Sequence, residues 1–329
     1  MKLYSTGSVK NLWVESHPDD NSLGIGSFEF TDDYSVFDWG KMPQTLPDKG
    51  EALKRETAHW FRRLREEGLP TQFIEEVDKT KIKVKLFRKL EYAEITGSSK
   101  NFMLPLEIIF RNKVTPVSSL YRRLRKGTAD PRAYGLPEGF TPQVDETIVL
   151  PKPTVEFSTK IEETDRYIDD REAVSLAGIT KEELDLVREV ALVVNKVVTG
   201  EVKDRGLDHV DGKIEVAMGL KRDVYVCDTV GTSDENRFLY KGLDLSKQML
   251  RDYYILDGWY DELTKAREEG SELPKPKDMD SEYLKLVNET YKALCVAITG
   301  EPWGEIEPPS LDEIVRRYQD LIKEKKEGL

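Results

Sequence analysis

In DHVDGKIEV, residues 208–216, the two-residue period of a strand puts Asp211, Lys213 and Glu215 on one face and Val210, Ile214 and Val216 on the other. A solvent-facing strand has the same pattern. The next apolar stretch, however, ends at Asp228 in VCDTVGTSDENR, which brings another carboxylate to the end of the same hairpin. Carboxylates from two adjacent strands are what Mg²⁺ bound to nucleotide phosphates uses, because Mg²⁺ takes a few oxygen ligands and shares the phosphates.

Three weaker patterns accompany this one. RNKVTPVSSLYRRLRKG, residues 111–127, gathers six Lys or Arg and no acid around Ser118 and Ser119, in a chain whose formal net charge is −12. Arginine forks and hydroxyl donors suit a phosphate dianion. TDDYSVFDWGKMPQTLPDKGE places Ser35 and Asp38 ahead of a Pro47-Asp48-Lys49-Gly50 turn. GSVK at 7–10 offers backbone amides and the Lys10 charge to phosphates. The three histidines, His17, His59 and His209, are isolated, which argues against a Ser-His or Cys-His nucleophile.

The elements that must hold these residues follow from periodicity. From Lys2 to about Phe110 the chain is strand-rich, with KIKVKLF alternating Ile82, Val84 and Leu86 against lysines. One helix interrupts it, with Asp48 and Glu51 at capping-box spacing, Leu53, Trp60, Phe61 and Leu64 on one face, and Gly68-Leu69-Pro70 as the stop. Residues 127–153, rich in Gly and Pro, read as an ordered loop crossing between lobes. A core helix runs from Thr180, capped with Glu183, to Gly200, and the strands DHVDGKIEVAM and DVYVCD form a hairpin. Three helices close the chain, around 246–256, 281–298 and 310–327, the last capped by Ser310 and Glu313. GIG at 24–26 lacks a third glycine and a following helix, and no GxxxxGK[ST] loop occurs.

Composition limits the rest. With 329 residues, 38% hydrophobic, the chain can bury one large domain or two lobes. No apolar run approaches the ~18 residues of a spanning helix and the start lacks a secretory core, so a cytoplasmic location without membrane partners is expected. Asp and Glu number 62 against 50 Lys and Arg, which disfavours a nucleic-acid partner. Cys227 and Cys295 fit neither a disulfide framework nor a zinc site.

Taken in order, these segments resemble the phosphoribosylaminoimidazole-succinocarboxamide synthase (SAICAR synthetase) family over roughly residues 4–255. Gly7-Ser8-Val9-Lys10 is similar to its Gly-Lys-x-(Lys/Arg) strand, with Ser8 in place of the first basic residue. Asp32 or Asp33, Ser35, Asp38 and Pro47-Asp48-Lys49-Gly50 resemble its D-x-x-S-x-x-D and Pro-x-Lys-Gly. Pro105-Leu106-Glu107 to Arg111-Asn112, then Ser119-Leu120 and Arg122-Arg123, resemble its P-(L/V)-E-x-x-x-R-N and following Ser-Leu and basic pair. Ser158-Thr159-Lys160 is similar to S-T-K, Val210 to Glu215 to V-D-F-K-x-E, and Asp228, Asp234 and Arg237 to D-E-x-x-x-D-x-x-R. The departures are Ser8, Gly212, Thr229, two extra residues before Ser119, and the inserted YAEITGSSKN.

The resemblance implies two α+β lobes, an N-terminal antiparallel sheet lobe over 1–100 and a larger lobe over 101–255, with ATP in the cleft between them; residues 256–329 are a helical extension expected on the second lobe or at a subunit contact. It implies an ATP-dependent ligase joining L-aspartate to carboxyaminoimidazole ribonucleotide (CAIR), with ATP and Mg²⁺ as cofactors and possible homo-oligomers. Gly7, Lys10 and Lys213 would meet ATP phosphates; Glu215, Asp228 and Asp165 would hold Mg²⁺. Arg111, Ser118, Ser119 and Arg237 would hold the nucleotide phosphate, and Glu107 the aminoimidazole or ribose. Lys160 and Asp234 join the substrate-binding set, while Ser35, Asp38 and Lys49 would shape the pocket where the substrates meet, with Lys213, Asp38 and Lys49 as the catalytic candidates. Another ATP-dependent amide ligase and a catalytically silent nucleotide-binding regulator are the alternative readings.

Overall fold

The lysine-alternating stretch at 81–86 is a strand of the N-terminal sheet, its Ile82 and Val84 fully buried. In a computed structural model that describes residues 2–162 and 164–327, this sheet has five antiparallel strands: β1 (Lys2–Thr6), β2 (Lys10–Ser16), β3 (Gly24–Phe30), β4 (Phe73–Glu76) and β5 (Lys81–Leu86), ordered β1-β2-β3-β5-β4. Helix α1 (Lys49–Glu66) covers it and buries Leu53, Trp60, Phe61 and Leu64.

A second antiparallel sheet carries β6 (Phe102–Met103), β7 (Leu106–Val114), β8 (Ile148–Thr159), β9 (Tyr167–Ile168), β10 (Asp208–Met218), β11 (Val224–Cys227), β12 (Asn236–Tyr240) and β13 (Leu243–Asp244). At its centre β10 pairs with β7 on one side. On the other side its first half pairs with β12 and its second half with β11. Where the partner changes, the Lys213 amide donates to Glu235 O at 3.3 Å. Helices α2 (Ser119–Arg125), α3 (Asp170–Ala177) and α4 (Lys181–Asp204) lie between these strands in sequence; α4 starts with the expected Thr180–Glu183 capping box but continues through Gly200, because its buried stripe runs on to Val202.

Three further expectations change. Asp48 does not cap α1: its own φ is 65° and its carboxylate bonds Lys292 at 2.7 Å. Residues 127–153 do not cross between lobes; they return from α2 to β8, the direct neighbour of β7, over a small core of Val114, Leu120, Leu124, Ile148 and Leu150. Pro151 and Pro153 are tolerated in β8 because they fall in a bulge, where Arg111 faces Thr154 but Lys113 faces Val149. After α5 (Gln248–Leu256) comes a helix the periodicity did not reveal, α6 (Trp259–Glu269), before α7 (Ser281–Thr299) and α8 (Leu311–Glu327).

The C-terminal helices do not sit only on the second lobe. α7 packs along α1 and also meets α4 and α5, so α1 is enclosed on both sides and one hydrophobic core runs from the first sheet to the last helix. Enclosure also buries polar groups of α1. Glu56 is fully buried, accepting from the Ser233 amide at 2.8 Å and from its hydroxyl at 3.1 Å. Burial, with Asp234 nearby, pushes its carboxyl up to about 8.

The folded chain therefore holds a proton that the unfolded chain releases. This contribution is complete below about 4.5 and is lost as pH rises towards about 8. Urea unfolding across pH 5–8 should show Glu56 lowering stability by up to about 1.4 kcal/mol per pH unit, and Glu56→Gln should remove that slope. Parallel curves for the two proteins would contradict it.

Candidate active site

Arg111 leaves β7 fully enclosed and is held between two carboxylates. Its Nε donates to Glu156 at 2.7 Å and its Nη1 to Asp211 at 2.8 Å. Burial opposes its charge, but Asp211 and Glu156 outweigh burial and hold the guanidinium protonated well above its ordinary range. The remaining nitrogen, Nη2, reaches Ser119 Oγ at 3.2 Å and the Tyr167 hydroxyl at 3.0 Å. Asp211 also accepts from Arg237 Nη1 at 2.6 Å. One carboxylate thus aligns two arginines at the edge of a cavity of about 310 Å³, whose lining includes Ser119, Arg237 and Arg251.

Along the same face of β10 the charges alternate. Lys213 bonds Glu107 at 2.8 Å and pairs with Glu235 at 3.2 Å. Burial would lower its basicity, yet Glu235 and Glu107 raise it well above the ordinary lysine value. Beyond it, Glu215 is paired with Lys160 at 2.5 Å, and Asp228 with Lys10 of the first sheet. Burial and the neighbouring Asp228 charge push the Glu215 carboxyl up; burial opposes the Asp228 charge, but Lys10, Lys160 and Lys213 together hold it below its ordinary value. Asp228 has φ 64°, a left-handed conformation that persists where the surroundings impose it.

These contacts bring together Lys10, Glu107, Lys160, Lys213, Glu215 and Asp228 at one end and Arg111, Ser119 and Arg237 at the other, with Asp38 on the cavity rim. Gly7 donates its amide to Lys10 O at 2.9 Å in the β1–β2 turn, where a Cβ would stand 2.7 Å from that oxygen. Three candidates lie elsewhere. Ser118 is buried and caps α2, its hydroxyl accepting from the Tyr121 amide, so the following serine is the one that faces the cavity. Lys49 is fully enclosed behind the cavity, bonded to Asp234 at 2.8 Å with its ammonium over the Tyr291 ring. The other Asp234 oxygen accepts from the Tyr291 hydroxyl at 2.6 Å. Ser35 stands between fully buried Tyr34 and Val36, outside the cavity lining. The Asp165 carboxyl is raised by burial and by the Glu107 charge; among the described residues no three His, Cys, Asp or Glu side chains converge as a metal site.

Sequence reasoning missed Glu156, Tyr167, Glu235, Lys247 and Arg251. Lys247 and Arg251 stand one helical turn apart, a spacing that marks a shared face; nothing local singles out Tyr167. The Gly212 departure has a steric cause. A Cβ there would stand 2.0 Å from Asn236 Oδ1 and 2.7 Å from the Phe110 ring, because Asn236 fills the place of a side chain while its Oδ1 lies 3.0 Å from buried His209 Nε2.

The sequence matches the family description "SAICAR synthetase" over residues 3–266. A putative phosphoribosylaminoimidazole-succinocarboxamide synthase of Archaeoglobus fulgidus is 36% identical, covering 96% of this chain and 100% of that one. The synthase of Thermoplasma acidophilum is 37% identical, covering 92% and 100%. Among solved structures, a SAICAR synthetase in complex with ADP superimposes with a TM-score of 0.61 at 26% identity, covering 91% and 98%. The Saccharomyces cerevisiae enzyme complexed with SAICAR shares the fold, with a TM-score of 0.67 at 19% identity over 93% and 97%.

Breaking the buried Lys49–Asp234 pair should be felt as stability before chemistry. Lys49→Met takes the hydrogen-bonded ammonium from the buried Asp234 carboxylate and should cost about 3–5 kcal/mol in chemical denaturation. A loss under 1 kcal/mol would show that the pair is not structural.

Proposed function

The chain belongs to the SAICAR synthetase family, and on that footing we propose that its two charged clusters divide the reaction, the Lys10–Glu215–Asp228 end taking ATP and the Arg111–Ser119–Arg237 end the nucleotide phosphate of CAIR. The overall reaction is ATP-dependent ligation of L-aspartate to CAIR, giving SAICAR, ADP and phosphate in purine biosynthesis. The observation that carries the division of roles is strand β10. Asp211, Lys213 and Glu215 step along one face, about 7 Å apart, and each belongs to a different part of the charged array.

A carboxylate is a poor acyl donor. In this reading the CAIR carboxylate oxygen attacks the γ-phosphorus of ATP, ADP leaves, and an acyl phosphate forms. The aspartate amine then attacks that carbonyl carbon, losing a proton, and phosphate leaves as the amide bond closes. Phosphoryl transfer of this kind is catalysed mainly by positioning and charge neutralisation. Lys213, held protonated between Glu107 and Glu235, sits where it can stabilise charge on the transferring group. Arg237 and Ser119 hold the nucleotide end, and Lys10 reaches the cleft from the first sheet.

Glu215 and Asp228 fit a hard dication. They are neighbouring carboxylates in a half-enclosed site, and their repulsion is met here by the Lys160 and Lys10 ammoniums. Mg²⁺ bound there would neutralise phosphate charge. Asp165, whose carboxyl is raised by burial and by the Glu107 charge, is the further carboxylate that could join Glu215 and Asp228. Among the described residues no helix is long and apolar enough to cross a membrane; we place the enzyme in the cytoplasm, where its soluble substrates are.

Phosphate release from ATP with Mg²⁺ and CAIR should depend on L-aspartate and stop when chelator removes the metal. Arg237→Ala removes a charge-assisted contact of about 1.5–3 kcal/mol, and should lower kcat/KM for CAIR by about 10-fold to 100-fold with KM for ATP unchanged. ATP binding without substrate-stimulated release would instead favour a regulator. Glu215→Gln should raise the Mg²⁺ concentration needed for half-maximal rate, and an unchanged requirement would remove Glu215 from the metal site.

A further inference from the structure

The loop that carries Asp38 is bent against its own preference. Phe37 and Asp38 have φ of 55° and 54°, two consecutive left-handed residues neither of which is glycine. Such a pair persists only where its surroundings impose it. Inside the loop, Trp39 N bonds Val36 O at 3.2 Å and Met42 N bonds Tyr34 O at 3.0 Å, but neither bond involves the carbonyls of the strained pair.

Those carbonyls are taken by α6. Arg267 Nη2 donates to Phe37 O at 2.9 Å and lies 3.4 Å from Asp38 O, so one guanidinium nitrogen spans two successive peptides. The rings on either side of Asp38 are held by the same helix. Phe37 stacks on Tyr260 with centroids 4.2 Å apart, and Trp39 meets Trp259 edge-on at 5.5 Å. Asp38 itself lines both the 310 Å³ cavity and an adjoining one of about 410 Å³ that also carries Arg122, Arg237, Arg251 and Arg267.

We propose that Arg267, aided by Tyr260, is a positioning residue for the ligase reaction, holding the Phe37–Asp38 pair left-handed so that the Asp38 carboxylate stays where the two cavities join. The inference rests on the reading of that junction as the place where the substrates meet. Released from α6, the pair relaxes to right-handed or extended backbone and the Asp38 side chain swings off the rim. A shift of about 1 Å at a reacting group is enough to cost on the order of 100-fold in rate. Lysine at 267 keeps the charge but offers a point donor in place of the planar fork.

The test is a double-mutant cycle in the full-length enzyme, with Arg267→Ala, Asp38→Asn and both together, read as kcat and as KM for ATP, CAIR and aspartate. Arg267→Ala alone should lower kcat by about 10-fold or more with KM for ATP unchanged, and Arg267→Lys should recover part of the loss. On the Asp38→Asn background, Arg267→Ala should add less than about 2-fold, because the group it positions is already gone. An equal loss on both backgrounds means that Arg267 touches substrate directly and overturns the proposal, as does full activity of Arg267→Ala. Full activity of Asp38→Asn overturns the reading of the junction, and the proposal with it. If Arg267→Ala does not fold, Tyr260→Leu carries the same cycle, with the same outcomes.

Discussion

A charge taken out of water must be matched by its opposite, and Arg111 is where this requirement organises the protein. Enclosed at the centre of the second sheet, it is bonded to Glu156 of β8 and Asp211 of β10, while it is itself part of β7. Three strands are thereby fixed in register. A slip of one residue in any of them would strand a buried guanidinium or a buried carboxylate, at a cost of several kcal/mol. Asp211 extends the constraint to Arg237 on β12, and Glu156 extends it to Arg123 of α2 and to Tyr134. The basic stretch that stands out in an acidic chain is therefore partly neutralised where it folds. What faces the cavity from it is a fork of Arg111 and the hydroxyl of Ser119.

The second half of β10 applies the same rule with weaker enclosure. Lys213, Lys160 and Lys10 each face a carboxylate, yet all three are partly open to the cleft. Pairs of this kind exchange partners readily, because the protein charge released by one ligand charge finds another close by. Polar groups on the enclosed side of the sheet, such as Asn112 with Asn195 and Thr199, have fixed partners and serve the framework. Burial thus separates scaffold from site across the second sheet.

Much of this was legible in the sequence because it depends on local periodicity. The alternation in DHVDGKIEV, the capping box at Thr180 and the hairpin across residues 219–223 are all decided by neighbours along the chain. What was not legible depends on distant partners. Ser118 and Ser119 have the same chemistry, and only the direction of α2 decides which caps the helix and which faces the cavity. Lys49 lies in a loop-to-helix turn whose sequence says nothing of Asp234 or Tyr291, 185 and 242 residues further on. Asp48 has the spacing of a cap, but its backbone is left-handed and its side chain bonds Lys292 of α7. α6 was missed because its first turn is packed on aromatic rings of another loop, which blurs the one-sided pattern of a surface helix.

The reach of α7 beneath the cavity also bears on how the protein is made. Tyr291 and Lys292 supply contacts to Asp234 and Asp48, so the floor of the cavity is finished by residues near the C-terminal end of the chain. Translation proceeds at about 5–20 residues per second, so α1 leaves the ribosome on the order of 10–40 s before the helix that encloses it. During that interval its second apolar face, and the buried-to-be Glu56 and Lys49, are in water. The first sheet emerges early but is left half-covered, a nascent surface for chaperones to shield until the last quarter of the chain arrives.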